Sequence, residues 1–198
     1  MKKTLVIATF NVHKAGEIRA ILPALPLCLR TLADFPGAVP AVEDGATLEE
    51  NAVKKALAAA RFTGVWALAD DTGLEVDALG GAPGVRSARY AGESSSAADN
   101  NARLLAELAG VPAARRSARF SCVMALVSPA GETALSRGTL EGRITSAPRG
   151  ANGFGYDVFF EPAGSPRTLA ELPETEKNKL SHRARALAGL VPLLQKLR

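Results

Sequence analysis

The sequence predicts an α/β domain built on a mixed β-sheet, and three observations carry that prediction. Short apolar segments alternate with amphipathic ones through the first half of the chain. Two long strand-like segments follow, joined by Pro129-Ala130-Gly131, which reads as an antiparallel hairpin. The length, 198 residues with 47% hydrophobic composition, suits one domain with a sizeable core, and residues 1–198 are read as a single domain that two lobes would also fit.

Taken in order, residues 3–8 form a buried strand, 14–24 an amphipathic helix starting at Lys14, and 27–31 a second strand. Thr47 opens a long helix, with Glu50 three residues on as the partner of a capping box, and Gly64 ends it. Strand 65–69 runs into Asp70 and Asp71, Thr72 and Gly73 turn the chain, and a short extended piece covers 74–77. Residues 95–109 form a helix stopped by Gly110 and Pro112. Strands 117–128 and 132–145 make the hairpin, a glycine-rich loop leads to strand 156–160, and a proline-punctuated connection spans 161–172. Helix 181–197 closes the chain, kinked at Pro192.

Composition narrows the function classes. No apolar run reaches the length of a membrane span, and the N-terminal apolar segment is too short for a signal peptide. With two His and two Cys, a His/Cys zinc cluster is disfavoured. Cys28 and Cys122, in apolar contexts, read as buried thiols of a reducing compartment, which places the protein in the cytoplasm. The net charge of +4 is spread along the chain. It favours an anionic partner, which a small polyphosphate satisfies as well as nucleic acid does.

Four segments carry candidate chemistry. Thr9-Phe10-Asn11-Val12-His13-Lys14 follows a strand and opens a helix, where backbone N–H groups face an anion; the same residues also describe a helix cap with a solvated lysine. Glu43-Asp44-Gly45 and the Asp70-Asp71 pair offer oxygen ligands. Glu43 and Asp71 together would satisfy magnesium, although each alone fits an acid at a loop end. On an extended chain adjacent side chains point to opposite faces, so Asp70 and Asp71 do not share one job. Glycines flank Phe154, letting its ring stack on a nucleobase with Asp157 bonding base or ribose; a ring tucked into the core fits too. Lys177 and Ser181-His182-Arg183 put basic groups at a helix start, against the helix dipole, which points to an anionic or carbonyl partner. A solvated basic face, with His182 packed, is the plainer reading.

In order and spacing these segments resemble the inosine/xanthosine triphosphate pyrophosphatase family, the Ham1-like house-cleaning enzymes. The resemblance rests on TFNVHKAGEI, EDGATLEENAVKKA, ADDTGLEVDALGGAPGVRSARYAG, GFGYDVFF and EKNKLSHRARAL. Phe10 stands where the family's first motif carries glycine. The resemblance implies an elongated two-lobed α/β domain with a mixed central sheet flanked by helices, an active cleft between the lobes, and a homodimer. It implies Mg²⁺-dependent hydrolysis of ITP, dITP and XTP to the monophosphate and pyrophosphate, with no nucleic-acid or membrane partner. Asp71 would be the general base and share the metal with Glu43 and Asp70. Lys14, Lys55 and the Thr9–Lys14 loop would neutralise the phosphates, and Thr72 would anchor the substrate. Phe154, Gly155, Tyr156 and Asp157 would hold the base, and Lys177, His182 and Arg183 would donate to its 6-oxo group. Guanine also carries a 6-oxo group, so its rejection falls to the 2-amino position. A Maf-like pyrophosphatase of different base preference, a nucleotide-binding protein without turnover and an RNA-binding module are the rival readings.

Overall fold

The computed structural model describes residues 2–197. Its strands are β1 (Lys3–Ile7), β2 (Leu27–Thr31), β3 (Trp66–Val76), β4 (Pro83–Gly84), β5 (Ser117–Val127), β6 (Thr133–Ile144) and β7 (Phe160–Pro162). Its α-helices are α1 (Val12–Ile21), α2 (Leu48–Thr63), α3 (Ala97–Glu107), α4 (Glu174–Leu180) and α5 (His182–Leu194). One seven-stranded sheet runs in the order β2-β1-β3-β5-β6-β7, with β4 beside β3. β1 is parallel to both β2 and β3, whereas β3–β4 and β6–β7 are antiparallel, so the sheet is mixed as expected.

Two compact units divide the residues, each drawn from separate stretches of chain. The first comprises residues up to Asp71, Cys122–Gly138 and the chain from Arg183; the second comprises Thr72–Ser121 and Thr139–His182. In the first, Ile18 of α1 and Leu187 and Leu190 of α5 pack with Leu5, Ile7, Leu68 and Met124 from the strands. The second has its own core, in which Leu104 of α3 joins Leu74, Phe120, Leu140, Tyr156 and Phe160. Each fully buried Leu, Ile or Phe contributes roughly 1.5–3 kcal/mol.

Local signals placed many boundaries well. Thr47 Oγ1 accepts from Glu50 N at 3.1 Å, and Gly64 ends α2 in the left-handed region at φ 71°. The capping box is altered, because the Glu50 carboxylate accepts from Ala46 N at 2.7 Å, one residue before the cap. The β5–β6 turn closes through Ser128 N to Glu132 O and Gly131 N to Ser128 O, both 2.9 Å.

Several expectations are corrected. No turn interrupts residues 66–76; they form one 11-residue strand with Asp70 and Asp71 in its middle. Gly73 serves close approach there, since a Cβ would lie 2.6 Å from Gly84 O on the paired strand. α1 starts at Val12, before Lys14, because Asn11 caps it, and it ends at Ile21, two residues ahead of Pro23. Residues 155–158 form a 3₁₀ turn, with Gly155 at φ 62°, and strand pairing begins only at Phe160. A separate α4 precedes the last helix, broken from it by the extended backbone of Ser181. α5 keeps Pro192 inside it and ends at Leu194. Cys28 is exposed on β2, although Cys122 is buried as expected. Among the described residues no helix is long and apolar enough to cross a membrane.

Candidate active site

In the first unit, the centre of β3 carries the two acids, and alternation along the strand gives them different partners. Asp70 Oδ2 accepts from Arg183 Nη2 at 2.9 Å and Nε at 3.3 Å, and Lys14 Nζ lies 3.3 Å away. Arg183, only 1% exposed, also pairs through Nη1 with Glu17, a buried acid on α1. Burial alone would push the Asp70 carboxyl up, but Lys14, Arg183 and Lys55 together hold it far below the usual carboxylate range.

Asp71 faces α2 instead. Its Oδ1 accepts from Lys55 Nζ at 2.7 Å, and the same ammonium lies 3.1 Å from Glu43 Oε1. Burial pushes the Asp71 carboxyl above its ordinary value; the attraction of Lys55 and Lys14 opposes this and the nearby Glu43 adds to it. Burial works against the charge on Lys55 too, but Asp71, Asp70 and Glu43 win and hold its pKa above the usual value. The cluster therefore joins a lysine whose pKa is held up by three acids to a carboxyl whose pKa is pushed up by burial.

Magnesium favours oxygen ligands and often keeps only one or two protein carboxylates beside water and substrate phosphates. Glu43 and Asp71, converging on one ammonium, match that donor set. Among the described residues no three His, Cys, Asp or Glu side chains gather to hold a metal, so the expected Glu43-Asp70-Asp71 triad does not form. The reason is the engagement of Asp70 with Arg183 and Lys14.

The loop before α1 differs from the expected cradle of open amides. Thr9 Oγ1 accepts from Asn11 N at 3.1 Å, and Asn11 Oδ1 accepts from His13 N at 3.0 Å and Lys14 N at 3.2 Å. The Asn11 side chain thus occupies the amides that would have met a phosphate. Phe10 and Val12 are exposed, His13 likewise, and no non-glycine residue described has a positive φ. Phe10 therefore needs no glycine-like backbone, and the residue is 41% exposed. Lys14, at the end of this loop, reaches Asp70. Thr72 follows Asp71 on β3, half-buried.

The second unit holds the aromatic segment. Asp157 Oδ2 accepts from Phe154 N at 2.9 Å and from Lys177 Nζ at 2.5 Å, and that ammonium lies 4.9 Å from the centre of the Phe154 ring. Gly153, at φ 73°, is required twice over, since a Cβ would meet Asp157 Oδ2 at 2.2 Å. Gly155 O accepts from Asn101 Nδ2 at 3.1 Å. The buried Tyr156 hydroxyl donates to Ser87 O at 2.9 Å, and burial raises its pKa, which makes it an anchor. His182 is buried and stacked on Phe120, ring centres 4.7 Å apart.

The three donors expected at the base thus have three different engagements. Lys177 lies beside Phe154, His182 packs on Phe120, and Arg183 binds Asp70 and Glu17. Arg183 was expected to donate to the base, and its guanidinium is buried against two carboxylates. Glu17 went unread at the sequence level. Its one signal is its place beside Ala15 and Ile18 on the buried side of α1, where a lone acid needs a partner.

The fold is α/β on a mixed sheet, with a lysine-linked carboxylate pair in the first unit and an aromatic, glycine-flanked segment in the second. The Ham1 family profile matches residues 5–193. A protein of Geobacter sulfurreducens named dITP/XTP pyrophosphatase is 54% identical over 186 residues, 94% of each chain. One of the same name from Lactiplantibacillus plantarum is 50% identical, covering 96% of this chain and 93% of its own. Among solved structures, a HAM1 protein from Coxiella burnetii superposes with TM-score 0.87 at 40% identity, covering 99% of this chain and all of that one. The Staphylococcus aureus Ham1 protein does so with TM-score 0.86 at 37% identity over the same shares. The chain belongs to the Ham1 family, and it is a hydrolase acting on acid anhydrides.

Proposed function

We propose that this enzyme hydrolyses deaminated purine nucleoside triphosphates (ITP, dITP and XTP) to the monophosphate and pyrophosphate, with Mg²⁺. The observation that carries the reading is the Asp71–Lys55–Glu43 cluster, where a carboxyl with a raised pKa sits beside a fixed positive charge. Asp71 takes the proton of the water that opens the anhydride between the α- and β-phosphates; a base tuned upward toward the working pH does this better than an ordinary carboxylate. Lys55 and Lys14 offset negative charge on the phosphates. Glu43 and Asp71 would hold the Mg²⁺, which supplies Lewis-acid stabilisation of the phosphoryl oxygens.

Phe154 gives the purine an aromatic face, and Lys177 is the donor assigned to the 6-oxo group. An adenine 6-amino group would face that donor with another donor, a mismatch that discriminates strongly. The family resemblance, the exposed thiol of Cys28, and the exposed Val39, Val42 and Phe62 support a cytoplasmic homodimer.

The test is pyrophosphate release from ITP, dITP, XTP, GTP and ATP, with Mg²⁺ and with EDTA. Fast Mg²⁺-dependent release from the first three supports the reading. Equal rates on ATP, or release of orthophosphate alone, overturn it.

A further inference from the structure

Asn51 is a buried polar side chain of the first unit with no part in the chemistry described so far. Asn51 lies in the first turns of α2, is fully buried, and is four residues before Lys55, on the same helical face. Its Oδ1 accepts from Gly45 N at 2.8 Å, and its Nδ2 donates to Asp71 Oδ2 at 3.4 Å. The amide's orientation follows from these partners, because the backbone N–H can only donate and the carboxylate can only accept. Gly45 is the third residue of the Glu43-Asp44-Gly45 loop, and its lack of a Cβ is what admits the amide: a Cβ would lie 2.6 Å from Asn51 Oδ1.

We propose that Asn51 is the positioning residue of this site, a neutral clamp that holds the Asp71 carboxylate and the Glu43-bearing loop in one arrangement. The inference rests on the reading of Asp71 as the base. Lys55 takes one carboxylate oxygen at 2.7 Å and Asn51 the other, so donors one helical turn apart fix the plane of the group. The same amide ties Gly45, two residues beyond Glu43, to the helix that carries Lys55. A neutral donor does this without adding charge; a second lysine in its place would pull the Asp71 pKa down and weaken the base. At 3.4 Å the bond to Asp71 is long, as catalytic hydrogen bonds often are before substrate binds. Clamp and base thus have separable atoms, Oδ1 for the loop and Nδ2 for the carboxylate.

That separation supplies the test. Asn51→Asp keeps an acceptor for Gly45 N but loses the donor to Asp71, whereas Asn51→Ala loses both. Both are expected to lower kcat about 10–100-fold with KM changed little, since misplacing a reacting group acts on the chemical step. In the wild type the Gly45 amide should be protected from hydrogen exchange, remain so in Asn51→Asp, and lose protection in Asn51→Ala. Gly45→Ala, which crowds Oδ1 without touching Asp71, should give the same kcat loss. If Asn51→Asp turns over like the parent, Asn51 does not position Asp71. If the wild-type Gly45 amide exchanges at the rate of an open loop, the clamp does not exist, a result needing no variant to fold. Failure of the underlying reading is distinct: Asp71→Asn would then stay active whatever Gly45 does.

Discussion

Asp70 and Asp71 are the same residue type, one position apart on β3, and almost equally buried at 2% and 5% exposed, yet their carboxyls shift in opposite directions. Burial raises both. Asp70 lies against Arg183 and Lys14, with Lys55 near, and three cations outweigh its desolvation. Asp71 has Lys55 as its direct cation, shares it with Glu43, and stays above its ordinary value. The number and sharing of partner cations, with burial nearly constant, separates a structural anchor from a candidate base. Pairs of acids driven apart in this way are where acid–base roles are found.

The largest expected effect breaks the reactive side. Asp71→Asn should lower kcat by ~10²–10⁴ with the fold intact by circular dichroism, because the amide cannot take a proton. Activity needs the deprotonated carboxyl, and a raised pKa moves its protonation to higher pH. The acidic limb of the kcat/KM–pH profile should therefore lie above the ordinary Asp value. A variant with parental kcat, or a limb at or below that value, would make Asp71 as passive as its neighbour.

The anchoring side should fail differently. Arg183→Ala leaves Asp70 and Glu17 buried without their shared guanidinium, a loss of about 3–5 kcal/mol of stability. It should depress kcat/KM for ITP, XTP, GTP and ATP by one common factor; a selective loss on ITP would return Arg183 to base reading. Asp70→Asn adds the pH dependence. The folded carboxyl is depressed, so its stabilisation is present above the unfolded pKa, roughly 3.9. It is lost as pH falls toward the folded value. The parent should therefore melt well above Asp70→Asn at pH 7, with the gap closing below about pH 4.

This contrast also marks what was legible in the sequence. Alternation on an extended chain already assigned the two acids different jobs, the residues themselves offered Glu43 and Asp71 as oxygen ligands, and the family resemblance added Lys55. Thr47, Gly64 and Pro129-Ala130-Gly131 work through neighbours in sequence, so the boundaries they set agreed with the structure. The engagement of Arg183 was not legible because its partners are far away in sequence: Asp70 lies 113 positions off and Glu17 lies 166. Gly73 was misread for the same reason, its cause being the backbone of Gly84 across the sheet. α4 went unread because Pro173 caps it without a side-chain bond and the helix has only seven residues.

A smaller effect sharpens the reactive side. Glu43→Gln keeps the length of the side chain but removes one of the two carboxylates that converge on Lys55. The Mg²⁺ concentration for half-maximal activity should rise several-fold, with saturated kcat much less affected than in Asp71→Asn. An unchanged Mg²⁺ titration would take Glu43 out of the metal site and leave it as a partner of Lys55.

The smallest expected effect tests whether position or mere charge is at work. Asp44 adjoins Glu43 and pairs with Lys54 at 2.6 Å, closer than Glu43 lies to Lys55. Both partners of the Asp44 pair are open to water, with side chains 69% and 45% exposed, and its carboxyl is lowered chiefly by the Lys54 hydrogen bond. Water solvates each partner almost as well as the other does, so such a pair adds little. Asp44→Asn removes one negative charge next to the site, as Glu43→Gln does, and should leave the melting temperature, kcat and Mg²⁺ titration at parental values. Buffers of low and high ionic strength give the decisive comparison, because an exposed charge acting at a distance is screened by salt and a buried one much less so. If Asp44→Asn weakened Mg²⁺ use as Glu43→Gln does, and salt abolished the difference, diffuse negative charge would suffice. The distinction between Asp70 and Asp71 would then lose its basis in specific, buried partners.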